Sequence, residues 1–279
     1  MSNTRSDLCW MLRLTVYRHY IEAMRLLNEI YLYISRRKTT FFVKFKNGLN
    51  IKQMKNDFET SFTGWSFIVA ALLLWGGWAL SSHHVGEYFV ASDFVAIGED
   101  VWYWIWMFRF HIFGWVTMAI AMFALMSITM REPFRVVIFP GAGMVIVGTF
   151  TIAIAAAYYY NYGAWGVGKI AGKSPEEIQE FMDSILYTNQ YVTCFVRFGR
   201  IFSGVGLVLL GAGFIKWKMV SLWLGWFTVL LGLVAIGIIL SIPDNFEIYK
   251  PLFHIKVIWL VAMGVTLLRK GINLSEAQS

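Results

Sequence analysis

Charge is scarce in this chain: Asp, Glu, Lys and Arg together make up 15% of its 279 residues, where a soluble domain carries roughly a quarter. With 58% hydrophobic residues, that shortage points away from water-soluble folds and toward a bilayer. Cysteine is rarer still. Cys9 and Cys194 cannot build a disulfide framework, and neither sits in a CxxC or CxxCH motif, so covalent c-type haem attachment is unsupported. Motifs of soluble catalysis are missing as well: there is no Walker A sequence, HExxH or GxSxG. Gly163-Ala164-Trp165-Gly166 is a glycine-rich stretch without a following Lys-Ser/Thr. Acidic residues are outnumbered, 17 against 24 basic ones, giving a net charge of +7. Nucleic acid is one partner class for such an excess. Here the basic residues flank apolar segments, as the positive-inside rule requires, so the bilayer is the partner and nucleic acid is not.

What the chain does have is long apolar runs. They predict an all-α, polytopic membrane helix bundle with six transmembrane helices, at about 62–80, 101–128, 134–158, 190–215, 219–242 and 252–268. Together they form a domain over residues 54–273. Residues 1–53 are a basic amphipathic extension. In it Arg18, Glu22, Arg25 and Glu29 follow one helical face, and Arg36, Arg37, Lys38, Lys44 and Lys46 come after. The extension suits an interfacial helix on an anionic leaflet, or a solvated segment ahead of the membrane domain. Gly141, Gly148 and Ala155 recur at heptad spacing and give the third span a small-residue face for a neighbour. Residues 159–189 read as the longest loop of the domain. Within it Ser174-Pro175-Glu176-Glu177 is a helix start, with a serine cap, proline at the first position and a capping box, and a short amphipathic helix at 175–187 follows.

The loops set the orientation. The N-terminal segment, the turns at 129–135 and 216–218 and the C-terminus are basic, whereas the intervening loops are acidic or balanced. Six spans with both termini cytoplasmic satisfy every one of these, in a multi-pass protein of a bacterial cytoplasmic (inner) membrane.

Depth then singles out candidate residues. Arg109 lies about 12 Å into the second span, counted from its outer end. An arginine near the bilayer centre costs about 2.5–3.5 kcal/mol on insertion scales, so it should face protein or a wet cavity. Arg197 and Arg200 lie at a similar level on the fourth span, three residues apart on one face. His254 and Lys256 stand near the outer mouth of the sixth. Arg109 and His111 are two residues apart and point in different directions. These groups predict a polar pocket in the outer half of the bilayer. A neutral imidazole ligates haem iron, and bundle cores are where such cofactors sit. His111 and His254 are therefore the candidate metal ligands, with Arg109, Arg197 and Arg200 around the carboxylates of the cofactor and Lys256 a further cofactor-binding residue. A lone membrane histidine also suits a hydrogen bond to a neighbouring helix, and a single arginine suits snorkelling. The pair His83-His84 with Glu87 matches no strong metal spacing and reads as loop. The tryptophans of the run at 102–108 read as lipid-facing anchors rather than a quinone box.

His254-Ile255-Lys256 follows a short loop and opens the last apolar helix, while Arg197 and Arg200 open an earlier one. On these residues, the stretch 190–270 resembles the small haem- or copper-handling membrane proteins of the copper-resistance D type. It also resembles the membrane protoporphyrinogen oxidase type, in which an H-x-K begins a late helix. The resemblance implies a haem-binding bundle with His254 as ligand and Lys256 beside it. Three functional readings follow. The first is a membrane protein that binds a cofactor, haem b or quinone. The second is a transporter of an anion or small solute. The third is an accessory subunit of a larger membrane complex or homo-oligomer.

Overall fold

A backbone inside lipid must satisfy every N–H and C=O from within, which leaves helices or closed barrels as spanning structures. Helices form here. The computed structural model describes residues 51–79, 97–130, 135–170, 172–241 and 246–276, and no strand occurs among them. Their helices are α1 (Ile51–Ala79), α2 (Val101–Thr129), α3 (Arg135–Tyr158), α4 (Pro175–Lys216), α5 (Leu222–Ser241) and α6 (Phe246–Glu276). A π-helical stretch, Tyr159–Gly166, and a four-residue α-helical turn, Val167–Ile170, follow α3. Six of the described helical segments are long and apolar enough to cross a membrane. The chain is thus an all-α, multi-pass integral membrane protein. It divides into two units, Met1–Lys55 and Asn56–Ser279, and the bundle belongs to the second. The basic extension up to residue 50, His83, His84, Glu87 and the turns at 131–134 and 242–245 lie outside the described residues.

The main departure from the sequence reading is at 159–189, where the loop is replaced by helix. After Tyr158 the chain continues helically to Ile170, and α4 starts at Pro175. Composition favours a loop, since Tyr, Asn and Gly are weak helix formers. Packing overrides it. A side chain at Gly166 would meet the Phe181 ring of α4 at 2.9 Å, so its absence lets the two segments close. Ala164, Val167, Ile170, Ile185 and Val192 then bury together. The break itself is short. Gly172 adopts φ +83°, and Ser174 caps α4. Ser174 Oγ accepts from the Glu177 N–H at 3.3 Å, and the Glu177 carboxylate accepts from the Ser174 N–H at 3.2 Å. The capping box is therefore present, but its helix does not stop at 187. It runs 42 residues, about 63 Å and twice the thickness of a hydrocarbon core. At the far end, α6 passes through Gly271 to Glu276.

Lipid tails are as apolar as leucine, so helices in a membrane associate by close packing rather than by a hydrophobic drive. The expected face of α3 is used in this way against α4. A Cβ on Gly206 would stand 2.5 Å from the Gly141 carbonyl oxygen, and Gly148 lies against Gly199 and Ser203. The other face of α4 meets α5 through Gly204 and Gly232, and α1 meets α6 through Gly64 and Gly264. Two hydrogen bonds join α5 to α6: the Trp259 indole N–H donates to Thr228 Oγ1, and the Tyr249 hydroxyl donates to the Ala235 carbonyl, both at 2.8 Å. Phe253 of α6 packs edge-on against His111 and Trp115 of α2. Helices α2 to α6 thus form a ring in chain order. Outside it, α1 packs on both α2, through Leu74 and Gly114, and α6. Of the aromatic run on α2, Trp102 and Trp106 are exposed as anchors, whereas Trp104 and Phe108 are buried.

Candidate functional site

The ring surrounds a cavity of about 400 Å³, within the range of small-molecule sites. Each of its five helices lines it. From α3 come Ile152 and Ala155, from the π-helical stretch after it Tyr159, and from α5 Leu231 and Ala235, so two sides are mainly apolar. The polar groups come from the other three. On α4 the wall includes Asn189, Thr193, Arg197, Arg200 and Ser203, on α2 His111, and on α6 Tyr249 and Lys256. The α4 residues recur at helical spacing, giving a polar stripe about 21 Å long from Asn189 to Ser203. No aspartate or glutamate is among the described residues of the wall.

Four of the six residues singled out by depth and charge therefore meet at one cavity: His111, Arg197, Arg200 and Lys256. The other two do not line it. Arg109 turns away and donates to the Tyr160 hydroxyl. Their two-residue spacing explains why it parts from His111, since successive helical positions are rotated by about 100°. His254 is half-buried one position past Phe253, with its ring 5.7 Å from that of Phe253. Among the described residues no group of three or more His, Cys, Asp or Glu is placed to hold a metal ion.

Aromatic faces position the cations. The Arg200 guanidinium carbon stands 3.6 Å from the centroid of Tyr249, whose hydroxyl is tied to α5, so this one ring connects α4, α5 and α6. Lys256 Nζ lies 4.8 Å from the centroid of Trp115. Such contacts favour a cation in an otherwise apolar setting. His111 is 8% exposed, and its ring fits against α2's neighbour because Gly77 has no side chain: a Cβ there would be 3.2 Å from Nε2 and Cδ2. Asn189 Oδ1 is buried and accepts no hydrogen bond. It offers an acceptor at one end of the polar stripe, where buried acceptors are normally satisfied.

The sequence reading missed Asn189, Thr193, Ser203, Trp115 and Tyr249. The 3.6-residue period running back from Arg200 was the available signal for the first two. No such signal marked the rings, which are two among many aromatics.

No protein-family model matches the chain, and no curated protein or solved structure matches it either. The cavity has to be understood from its own chemistry. Arg197, Arg200, Lys256 and the His111 imidazole line a chamber whose remaining wall is largely apolar.

Proposed function

We propose that the protein binds an anionic cofactor within the bilayer, in the chamber surrounded by α2 to α6. The supporting observation is the convergence of Arg197, Arg200 and Lys256, from two helices, on one cavity with no described carboxylate on its wall. Positive charge gathered in a largely apolar chamber favours an anionic ligand there. Of the two cofactors that the sequence suggests, haem b suits this donor set better than a quinone, because its propionates are carboxylates and a quinone is neutral. Arg197, Arg200 and Lys256 would face the propionates. His111, the histidine of the described wall, would be the iron ligand. Haem would supply one-electron chemistry there. The chain's own part is to orient the group, to neutralise its acid end and to keep bulk water from its apolar body. The resemblance of residues 190–270 to haem-handling membrane proteins stands with this proposal, although His254 does not line the wall.

By the loop charges, the cavity lies in the outer half of the membrane. The polar stripe on α4 also favours a second reading, an anion transporter, since it gives an anion a stepped route toward Arg200. One preparation separates the two. Protein purified from haem-replete cells should show a Soret band that disappears in the His111→Ala variant. A colourless wild-type protein overturns the cofactor reading. Anion uptake into vesicles that depends on Arg197 then establishes transport.

A further inference from the structure

Arg109, left outside the cavity, has surroundings that point to a second ligand. Its guanidinium donates to the Tyr160 hydroxyl from Nε at 3.2 Å and from Nη2 at 3.0 Å. It also lies 4.9 Å from the Trp106 ring centroid and 5.6 Å from that of Tyr160. Trp165, in the π-helical stretch, packs edge-on against both Tyr160 and Trp102, each at 6.3 Å. Trp102, Trp106 and Trp165 are all exposed. Among the described residues the guanidinium meets no carboxylate.

A guanidinium has five N–H donors, and Tyr160 takes two of them. The rest are left for acceptors in the surroundings. Side chains on a helix lean toward its N-terminus, so Arg109 reaches toward the outer end of α2, as its contact with Trp106 shows. Exposed tryptophans collect at the level of lipid headgroups. The guanidinium is thus brought up beneath a ring of interfacial indoles, where phosphodiesters are the prevailing anions. A planar fork suits two phosphate oxygens better than a point charge would.

We propose that Arg109 and Tyr160, rimmed by Trp102, Trp106 and Trp165, form a headgroup site for an anionic phospholipid on the outer surface of the bundle. The phosphodiester accepts the N–H groups that Tyr160 leaves, and the indoles pack against the glycerol and upper acyl chains. The site shares no residue with the cavity wall and stands whether or not the cavity holds a cofactor.

The test uses the full chain, delipidated in mild detergent and titrated with phosphatidylglycerol while bound lipid is counted by native mass spectrometry. Wild-type protein should bind one lipid saturably, and Arg109→Gln should bind it about tenfold more weakly. Arg109→Lys keeps the charge but loses the fork, so it should bind about threefold more weakly and decides the matter if the glutamine variant does not fold. Lys169→Gln, an exposed lysine further along the same segment, should bind as wild type does. Unchanged binding in both Arg109 variants overturns the site. An equal loss in Lys169→Gln does so too, by showing diffuse charge, and displacement by inorganic phosphate would show a free-anion site instead.

Discussion

Replacing Gly206 by alanine tests the helix contact on which the cavity depends. The added Cβ would lie 2.5 Å from the Gly141 carbonyl oxygen, 2.7 Å from Val145 Cγ2 and 2.8 Å from the Val145 backbone nitrogen. Ordinary carbon–oxygen contacts sit near 3.3 Å, so α3 and α4 must part by about 0.8 Å at this point. Two of the three atoms belong to backbone and cannot rotate aside. Overpacking of this kind costs about 1–3 kcal/mol. Alanine also gains helix propensity over glycine, by up to about 1 kcal/mol, and that gain must be removed from the comparison. Gly143→Ala does so: it makes the same chemical change on α3, where a Cβ meets nothing within 4 Å. The difference between the two variants isolates the contact and should be about 1–3 kcal/mol in favour of Gly143→Ala. Equilibrium unfolding in mixed micelles with rising dodecyl sulfate, followed by near-ultraviolet circular dichroism, measures it. If the two agree within about 0.5 kcal/mol, the ordinary scatter of neutral sites, α3 and α4 do not pack through Gly141 and Gly206.

Two further outcomes follow from contacts elsewhere. Trp259→Phe removes the indole donor to Thr228 across α5 and α6 and should cost about 1 kcal/mol in the same unfolding assay. Adding Thr228→Val should then cost less than it does alone, and strict additivity would show that the bond contributes nothing. Ser174→Ala removes one arm of the capping box and should destabilise the start of α4 by about 1 kcal/mol. In hydrogen exchange, the amides just after Pro175 should exchange faster while those around Gly204 stay as they were. Equal acceleration at both places would mean that α4 unfolds as one unit.

The spans were legible because an apolar run long enough to cross a membrane has few other uses, and six such helices are present. Ser174 and Glu177 were legible because a capping box is local: its two partners are three residues apart. The stretch from Tyr159 to Gly166 was not legible, since its helicity depends on Phe181, which no local pattern connects to Gly166. The cavity was legible in part. Depth and charge brought together His111, Arg197, Arg200 and Lys256 without knowledge of the packing. The direction of Arg109 required its partner, Tyr160, to be located, and that partner lies in the segment whose structure was misread.

The placement of α1 has a consequence for how the protein is made. Phe67 packs edge-on against Trp259, and Gly64 against Gly264, so the first helix completes its packing only against the last. About two hundred residues separate them, roughly 10–40 s of ribosome time at 5–20 residues per second. Throughout that interval α1 has only α2 beside it, and the chamber lacks the side that carries Tyr249 and Lys256. A nascent chain interrupted before residue 249 has five of its six spanning helices and a cavity open on one side. The cavity is the last part of the protein to be completed.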